Sequence, residues 1–196
     1  MLTATCTNMP LDWGHLATCW LDGRLVCLTL GHPSEAEARR CLSELVGGWW
    51  SVLKGQNLEG VVAREVRLEW TSTGAEGIRL SKRMEAFLLG RAADRFLDIG
   101  LLDDGLTDWS QEVTWHCRQI PLGETWTYGQ LASRAARPRA ARAVGNVMRR
   151  NRWPIVVPCH RVIGSTGHLT GYSAPDGIAR KARLLNLEQH YRDRQP

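Results

Sequence analysis

Residues 123–151 read GETWTYGQLASRAARPRAARAVGNVMRRN, and this pattern decides the second half of the chain. Thr127 is a cap for a first helix, YGQLASRAA. Pro138 suits the first position of a second helix, PRAARAVGNVMRRN, because its fixed φ and missing N–H cost nothing there. Two short helices joined by a tight turn, the second full of arginine, predict a helix-turn-helix. From Arg134 to Arg161 there are eight arginines and no acid, the footprint of a polyanion-binding face as well as of a solvated one.

The chain continues, over residues 151–172, as NRWPIVVPCHRVIGSTGHLTGY. PIVVP is too short for a helix and is bounded by prolines. Cys159 follows Pro158 and precedes His160 and Arg161. Three readings are open: a buried structural thiol, a metal ligand or a nucleophile. The flanking cations, and a helical turn beginning after Pro158, would favour a thiolate. A base such as His160, oriented by a carboxylate, would complete a Cys/His/acid relay. Acids are scarce in this half, and Glu188 in the last helix is one of few options.

On the N-terminal side, IPLGET reads as a turn. Asp108 with Gln111 reads as a capping box opening a helix over about 109–119. DDGLTD, 103–108, reads as a boundary. The first half is mixed α/β. Asp22-Gly23 marks a hairpin inside LATCWLDGRLVCLTLG. Ser34 with Glu37 caps a helix that stops at Gly47-Gly48. VVAREVRLEW alternates like a strand, and LSKRMEAFLLG reads as a short helix ending at Gly90. A last helix covers about 177–190. The fold class expected is an α/β N-terminal domain, 1–102, with a mainly helical C-terminal domain, 103–196, carrying the helix-turn-helix.

The net charge is +5, and it is uneven. Residues 1–100 carry 11 Lys/Arg and 12 Asp/Glu, whereas 101–196 carry 14 and 8, so the positive charge lies in the second half. Nothing is apolar for long enough to span a membrane, and the N-terminus does not read as a secretion signal. Six cysteines without a CxxC pair imply free thiols in a reducing compartment, with the cytoplasm as the expected location.

GETWTYGQL, RAARAVGNVMRRN, PIVVPCHRVIGSTGHLTGY and KARLLNLE, in that order, resemble the O6-alkylguanine-DNA alkyltransferases over about residues 80–190. The resemblance implies a helix-turn-helix in the minor groove of duplex DNA, an extruded O6-alkylguanine, and irreversible transfer of the alkyl group to the protein. It implies Cys159 as acceptor, His160 as a base acting through a water, Glu188 orienting His160, and Asn151 ordering the turn before them. Tyr128 would assist flipping and donate to guanine N3. Arg142 would fill the gap left by the base, while Ala140, Ala141 and Gly145 allow close approach to the DNA. Pro158, Val162, Tyr172 and Ser173 would line the base pocket: Tyr172 as a wall, the Ser173 amide as a donor to O6, and the Val162 backbone and Cys159 carbonyl reading the exocyclic amine. A soft thiolate suits displacement at an sp3 carbon. The implied partner is double-stranded DNA containing O6-alkylguanine, met by a monomer without a cofactor.

Four positions depart from the family pattern. Trp109 stands for a phenylalanine and reads as a larger core aromatic. Ala136 stands for a glycine before the recognition helix. Arg152-Trp153 replaces a proline and a small apolar residue, with Trp153 read as core. Asp176 stands where glycine is common. In the first half, Cys6, Cys19, Cys27, Cys41, His15 and His32 lack metal-site spacing, so no metal is expected there. Trp49-Trp50 reads as helix packing. Three other readings compete. Alkyltransferase-like proteins that bind lesions without transfer lack the cysteine that this PCHR motif has. A thiol hydrolase leaves the arginine helix unexplained, and a regulator lacks a second DNA-binding motif.

Overall fold

A computed structural model describes residues 2–55, 66–169 and 176–193 of the 196-residue chain. They fall into two compact units, Met1–Glu85 with Asp98–Gly105, and Ala86–Leu97 with Leu106–Pro196. The expected α/β first half and helical second half with a helix-turn-helix are what the structure contains.

The first unit is a four-stranded sheet in the order β3-β2-β1-β4, from β1 (Leu2–Met9), β2 (His15–Leu21), β3 (Arg24–His32) and β4 (Val66–Trp70). β1, β2 and β3 are antiparallel neighbours and β4 runs parallel to β1. The hairpin turn is Asp22-Gly23, with φ of 48° and 72°, the left-handed pair whose twist matches the flanking strands. β1 escapes a hydrophobicity reading because its buried residues, Ala4, Cys6 and Thr7, are small. Of the alternating stretch 61–70, only β4 lies among the described residues.

Helix α1 (Glu35–Gly55) covers one face of the sheet and begins at the Ser34 cap, whose Oγ accepts from the Glu37 amide at 3.3 Å. The expected stop at Gly47-Gly48 is wrong, because the helix runs through both glycines. Each costs about 1 kcal/mol in a helix, and buried Val46 and Trp49 on either side outweigh that through their contact with the sheet. Trp49 also donates its indole N–H to the Asp104 carbonyl at 3.0 Å. Helix α2 (Ala75–Leu88) starts earlier than LSKRMEAFLLG suggests, and Gly90 follows it at φ 72°. A β-carbon at Gly77 would overlap the Thr7 side chain, so glycine lets α2 lie on β1.

In the second unit, α3 (Asp108–Gln119) is capped by Thr107, whose hydroxyl accepts from the Ser110 amide at 3.3 Å. The cap is therefore one residue before the expected Asp108, which instead occupies the first turn, where its charge suits the helix dipole. Strand β5 (Trp126–Thr127) leads into α4 (Tyr128–Arg134). There Thr127 caps Gln130, and the Gln130 side chain accepts from the Thr127 amide at 2.7 Å. α5 (Ala141–Arg149) follows. Pro138 does not begin α5. The Arg137 amide closes onto Ala132 at 2.9 Å and Ala140 onto Arg137 at 2.9 Å, so Pro138 sits in the turn and the helix starts three residues later. β6 (Val162–Ile163) pairs with β5 in parallel, and α6 (Gly177–Asp193) is last. Phe87 stacks on Tyr191 and meets the edge of Phe96, and Tyr191 donates to the Phe87 carbonyl at 2.7 Å.

Candidate active site

The apolar run PIVV forms a tight buried loop. Ile155 has φ of 72°, a left-handed conformation that a β-branched residue resists. Asn151 over-determines it: its Nδ2 donates to the Val157 carbonyl at 2.9 Å and its Oδ1 accepts from the Trp153 amide at 2.9 Å. Trp153 is buried core. The chain leaves this loop through Pro158 into a single 3-10 turn, Cys159–Arg161. Pro158 accepts from the Arg161 amide at 2.9 Å, and the Cys159 amide donates to the Val157 carbonyl at 2.8 Å.

Cys159 is buried, with only 9% of the residue exposed. Burial pushes its thiol pKa up. The Asn151 amide, which donates to Sγ at 3.1 Å, and the nearby Lys181 charge pull it back. The resting group is therefore a thiol in a setting that favours the thiolate once a base is supplied.

His160 is fully buried, and its Nε2 lies 2.7 Å from Glu188 Oε1. Burial lowers its pKa against the pull of Glu188, so the ring is neutral. Nε2 carries the proton toward the carboxylate. Nδ1 is buried and without a partner, the one basic nitrogen open to a proton. Burial alone would raise the Glu188 pKa, but His160 and Arg161 more than offset it and hold the carboxyl at about 2. Arg161 grips both oxygens, Nε to Oε2 and an Nη to Oε1, each at 2.8 Å, and donates to the Ile120 carbonyl at 2.7 Å. The Gly123 amide adds a bond to Oε2 at 3.3 Å. Gly123 has φ of 75°, and a β-carbon there would come within 3.1 Å of the Glu188 carbonyl. The glycine of GET is thus a requirement of this carboxylate.

Cys159, His160, Glu188 and Asn151 are therefore brought together. Val162 lies in β6 directly after the 3-10 turn. Tyr128 opens α4, and its ring faces Gly145 of α5: a β-carbon on Gly145 would sit 3.9 Å from it. Ala140 is the N-cap of α5, Ala141 its first residue, and Arg142 is exposed on its first turn. Tyr172 and Ser173 lie outside the described residues.

Three contributors escaped the sequence reading. Arg161 reads in sequence as a cation following Cys159, not as the group that holds Glu188. Gly123 read only as a turn. Lys181 is fully buried and donates from Nζ to the Val162 carbonyl at 2.6 Å. A signal existed: Lys181, Leu184, Glu188 and Tyr191 recur at helical spacing on the buried side of α6, and two charges on such a stripe mark a polar site. Among the described residues, no group of His, Cys, Asp or Glu could hold a metal ion. No helix among them is long and apolar enough to cross a membrane.

Residues 108–190 match the family model for the 6-O-methylguanine DNA methyltransferase DNA-binding domain. A methylated-DNA–protein-cysteine methyltransferase of Mycobacterium leprae is 34% identical over 146 residues, 74% of this chain and 86% of that protein. Its namesake in Methanosarcina acetivorans is 38% identical over 131 residues, 67% of this chain and 81% of that one. Among solved structures, Mycobacterium tuberculosis O6-methylguanine methyltransferase superposes with a TM-score of 0.68 at 29% identity, covering 98% of this chain and 95% of that one. The Mycobacterium tuberculosis OGT complex with DNA gives 0.66 at 28% identity, covering 95% and 93%.

Proposed function

The chain belongs to the methylated-DNA–protein-cysteine methyltransferases, and from that premise we propose that Cys159 is the acceptor and His160, Glu188 and Asn151 its activating set. The protein is a DNA repair transferase that moves an alkyl group from O6 of guanine in duplex DNA to its own cysteine, once per molecule. The observation that carries the residue assignment is the unpartnered His160 Nδ1 in the same buried turn as a protonated Cys159.

The steps follow from this chemistry. His160 Nδ1 takes the thiol proton, through one water, and Glu188 stabilises the imidazolium that forms. The Asn151 N–H, already on Sγ, strengthens as charge develops, a bond to an ion being worth about 1.5–3 kcal/mol. Sulfur attacks the alkyl carbon in line, the C–O6 bond breaks, and its electron pair passes to the guanine ring. A hydrogen bond from the Tyr128 hydroxyl to N3 and donors at O6 stabilise that charge until the guanine takes a proton at N1 from water, and His160 releases the thiol proton to solvent. The product thioether holds no proton and is a poor leaving group, so turnover ends. Arg142 fills the vacated stack, and Ala140, Ala141 and Gly145 let α5 approach the backbone. Pro158 and Val162 line the base pocket. Six unpaired thiols support a cytoplasmic setting, with the protein acting as a monomer.

The test is intact-protein mass spectrometry after incubation with a duplex holding one O6-methylguanine, followed by peptide mapping. A gain of one methylene on the Cys159 peptide is expected. A gain on another cysteine would overturn the assignment, and tight binding without any gain would overturn transfer itself.

A further inference from the structure

The DNA-binding unit holds two arginines in a way that neither the helix-turn-helix nor the transfer chemistry requires. The Arg134 guanidinium lies 4.0 Å over the Trp126 ring, and that of Arg137 lies 5.1 Å over Trp109. Both arginines are exposed, and neither is paired with a carboxylate among the described residues. The sequence removes competitors, since no acid occurs between Glu124 and Asp176.

The platforms are fixed independently of the arginines. Trp109 donates its indole N–H to the Ala135 carbonyl at 2.9 Å, at the end of α4 where Ala136 turns left-handed and redirects the chain through Arg137. Trp126 lies in β5 and pairs with Val162, which directly follows the Cys159 turn. A guanidinium held over an indole face is bound through its charge and leaves N–H donors for a phosphate, which they match bidentately. Stacking also removes rotamer freedom before binding, which lowers the ordering cost of each contact.

We propose that Arg134 on Trp126 and Arg137 on Trp109 are two pre-oriented grips for phosphates of the duplex, flanking the entry to the recognition helix. The inference rests on the reading that this unit binds duplex DNA. Because Trp126 is paired to the strand after the reactive turn, the Arg134 grip also sets the register of the backbone relative to Cys159.

The experiment uses the full chain and a duplex carrying O6-methylguanine, with dissociation constants measured across a range of KCl. Wild type should give a steep log–log slope. R134A/R137A should be shallower by about two, since each lost phosphate contact removes about 0.9. Its reaction with duplex should fall more than its reaction with free O6-benzylguanine, which has no phosphate. R134K/R137K keeps both charges but not the stacked fork. It should retain the slope and bind about three- to tenfold more weakly at fixed salt. An unchanged slope in the alanine variant, or wild-type affinity in the lysine variant, overturns the grips while leaving the DNA reading intact. A wild-type protein that binds the duplex with no salt dependence overturns both.

Discussion

At the scale of single residues, the site works by opposing burial with a few directed bonds. Burial disfavours the Cys159 thiolate, and Asn151 is the first group that offsets it. Asn151→Ala should therefore raise the thiol titration and slow alkyl transfer by about tenfold or more, the equivalent of losing a bond of about 1.5 kcal/mol to an ion. A thiol titration that stays in place would remove Asn151 from the reaction. Glu188 and His160 give the stability a defined pH dependence. The Glu188 carboxyl is held at about 2, below its unfolded value of about 4.3. As pH falls through about 4.3 the unfolded chain takes up a proton that the folded chain refuses, so this stabilisation is full above that pH and is lost toward 2. The His160 pKa is also depressed, so its contribution is full above about 6.5 and declines below. The melting temperature should fall from pH 7 downward, with a second, steeper limb below about 4.3. Glu188→Gln should lose that acid limb, and at neutral pH should cost about 3–5 kcal/mol by leaving buried Arg161 unpaired.

At the scale of elements, the turn between α4 and α5 shows what a substitution in a family pattern costs and how it is met. Ala136 has φ of 56°, a conformation that glycine adopts freely and alanine does not. Trp109, which stands in for phenylalanine, can donate an N–H to Ala135, which phenylalanine cannot, so it ties down the strained end of α4. The expectation that Trp109 is simply a larger core aromatic therefore misses its role, for it is only half-buried. Ala136→Gly should stabilise the chain by about 1 kcal/mol, reduced by the added freedom of the unfolded chain, and raise the melting temperature by about 2–4 °C. Trp109→Phe should cost about 1 kcal/mol through the lost bond to the carbonyl. If Ala136→Gly destabilises, the turn is not left-handed there. Local chemistry of this kind was legible in sequence wherever one residue type dominates, as at Asp22-Gly23 and Thr127. It was illegible where tertiary burial overrides propensity, as when Trp49 carries α1 through Gly47-Gly48. The site divides in the same way. Cys159, His160 and Asn151 are close in sequence, whereas Arg161, Lys181 and Gly123 meet Glu188 or Val162 only through the fold.

At the scale of the molecule, the six cysteines separate by what surrounds each one. Cys6, Cys19 and Cys27 are directly opposite one another across β1, β2 and β3, all fully buried beneath α1. Hydrogen bonds along this row push the Cys6 thiol well above its usual range, through Cys19, and the Cys19 thiol likewise, through Cys27. Cys117 is buried on α3 and is raised by desolvation. Cys41 is partly exposed, and Cys159 is buried, with 9% of its surface accessible. Reactivity with a thiol reagent follows thiolate character and access together. The native protein at neutral pH should therefore label at Cys41 first and Cys159 second. The remaining four should react only at the rate at which their elements open. Prior reaction with O6-benzylguanine should remove the Cys159 signal and leave Cys41 unchanged, which separates the acceptor from a thiol that is merely accessible. Peptide mapping of a labelling time course reads all six at once. Early label on Cys6, Cys19 or Cys27 would contradict the sheet register that aligns them beneath α1. Loss of label at Cys41 after the benzylguanine treatment would move the acceptor out of the helix-turn-helix unit altogether.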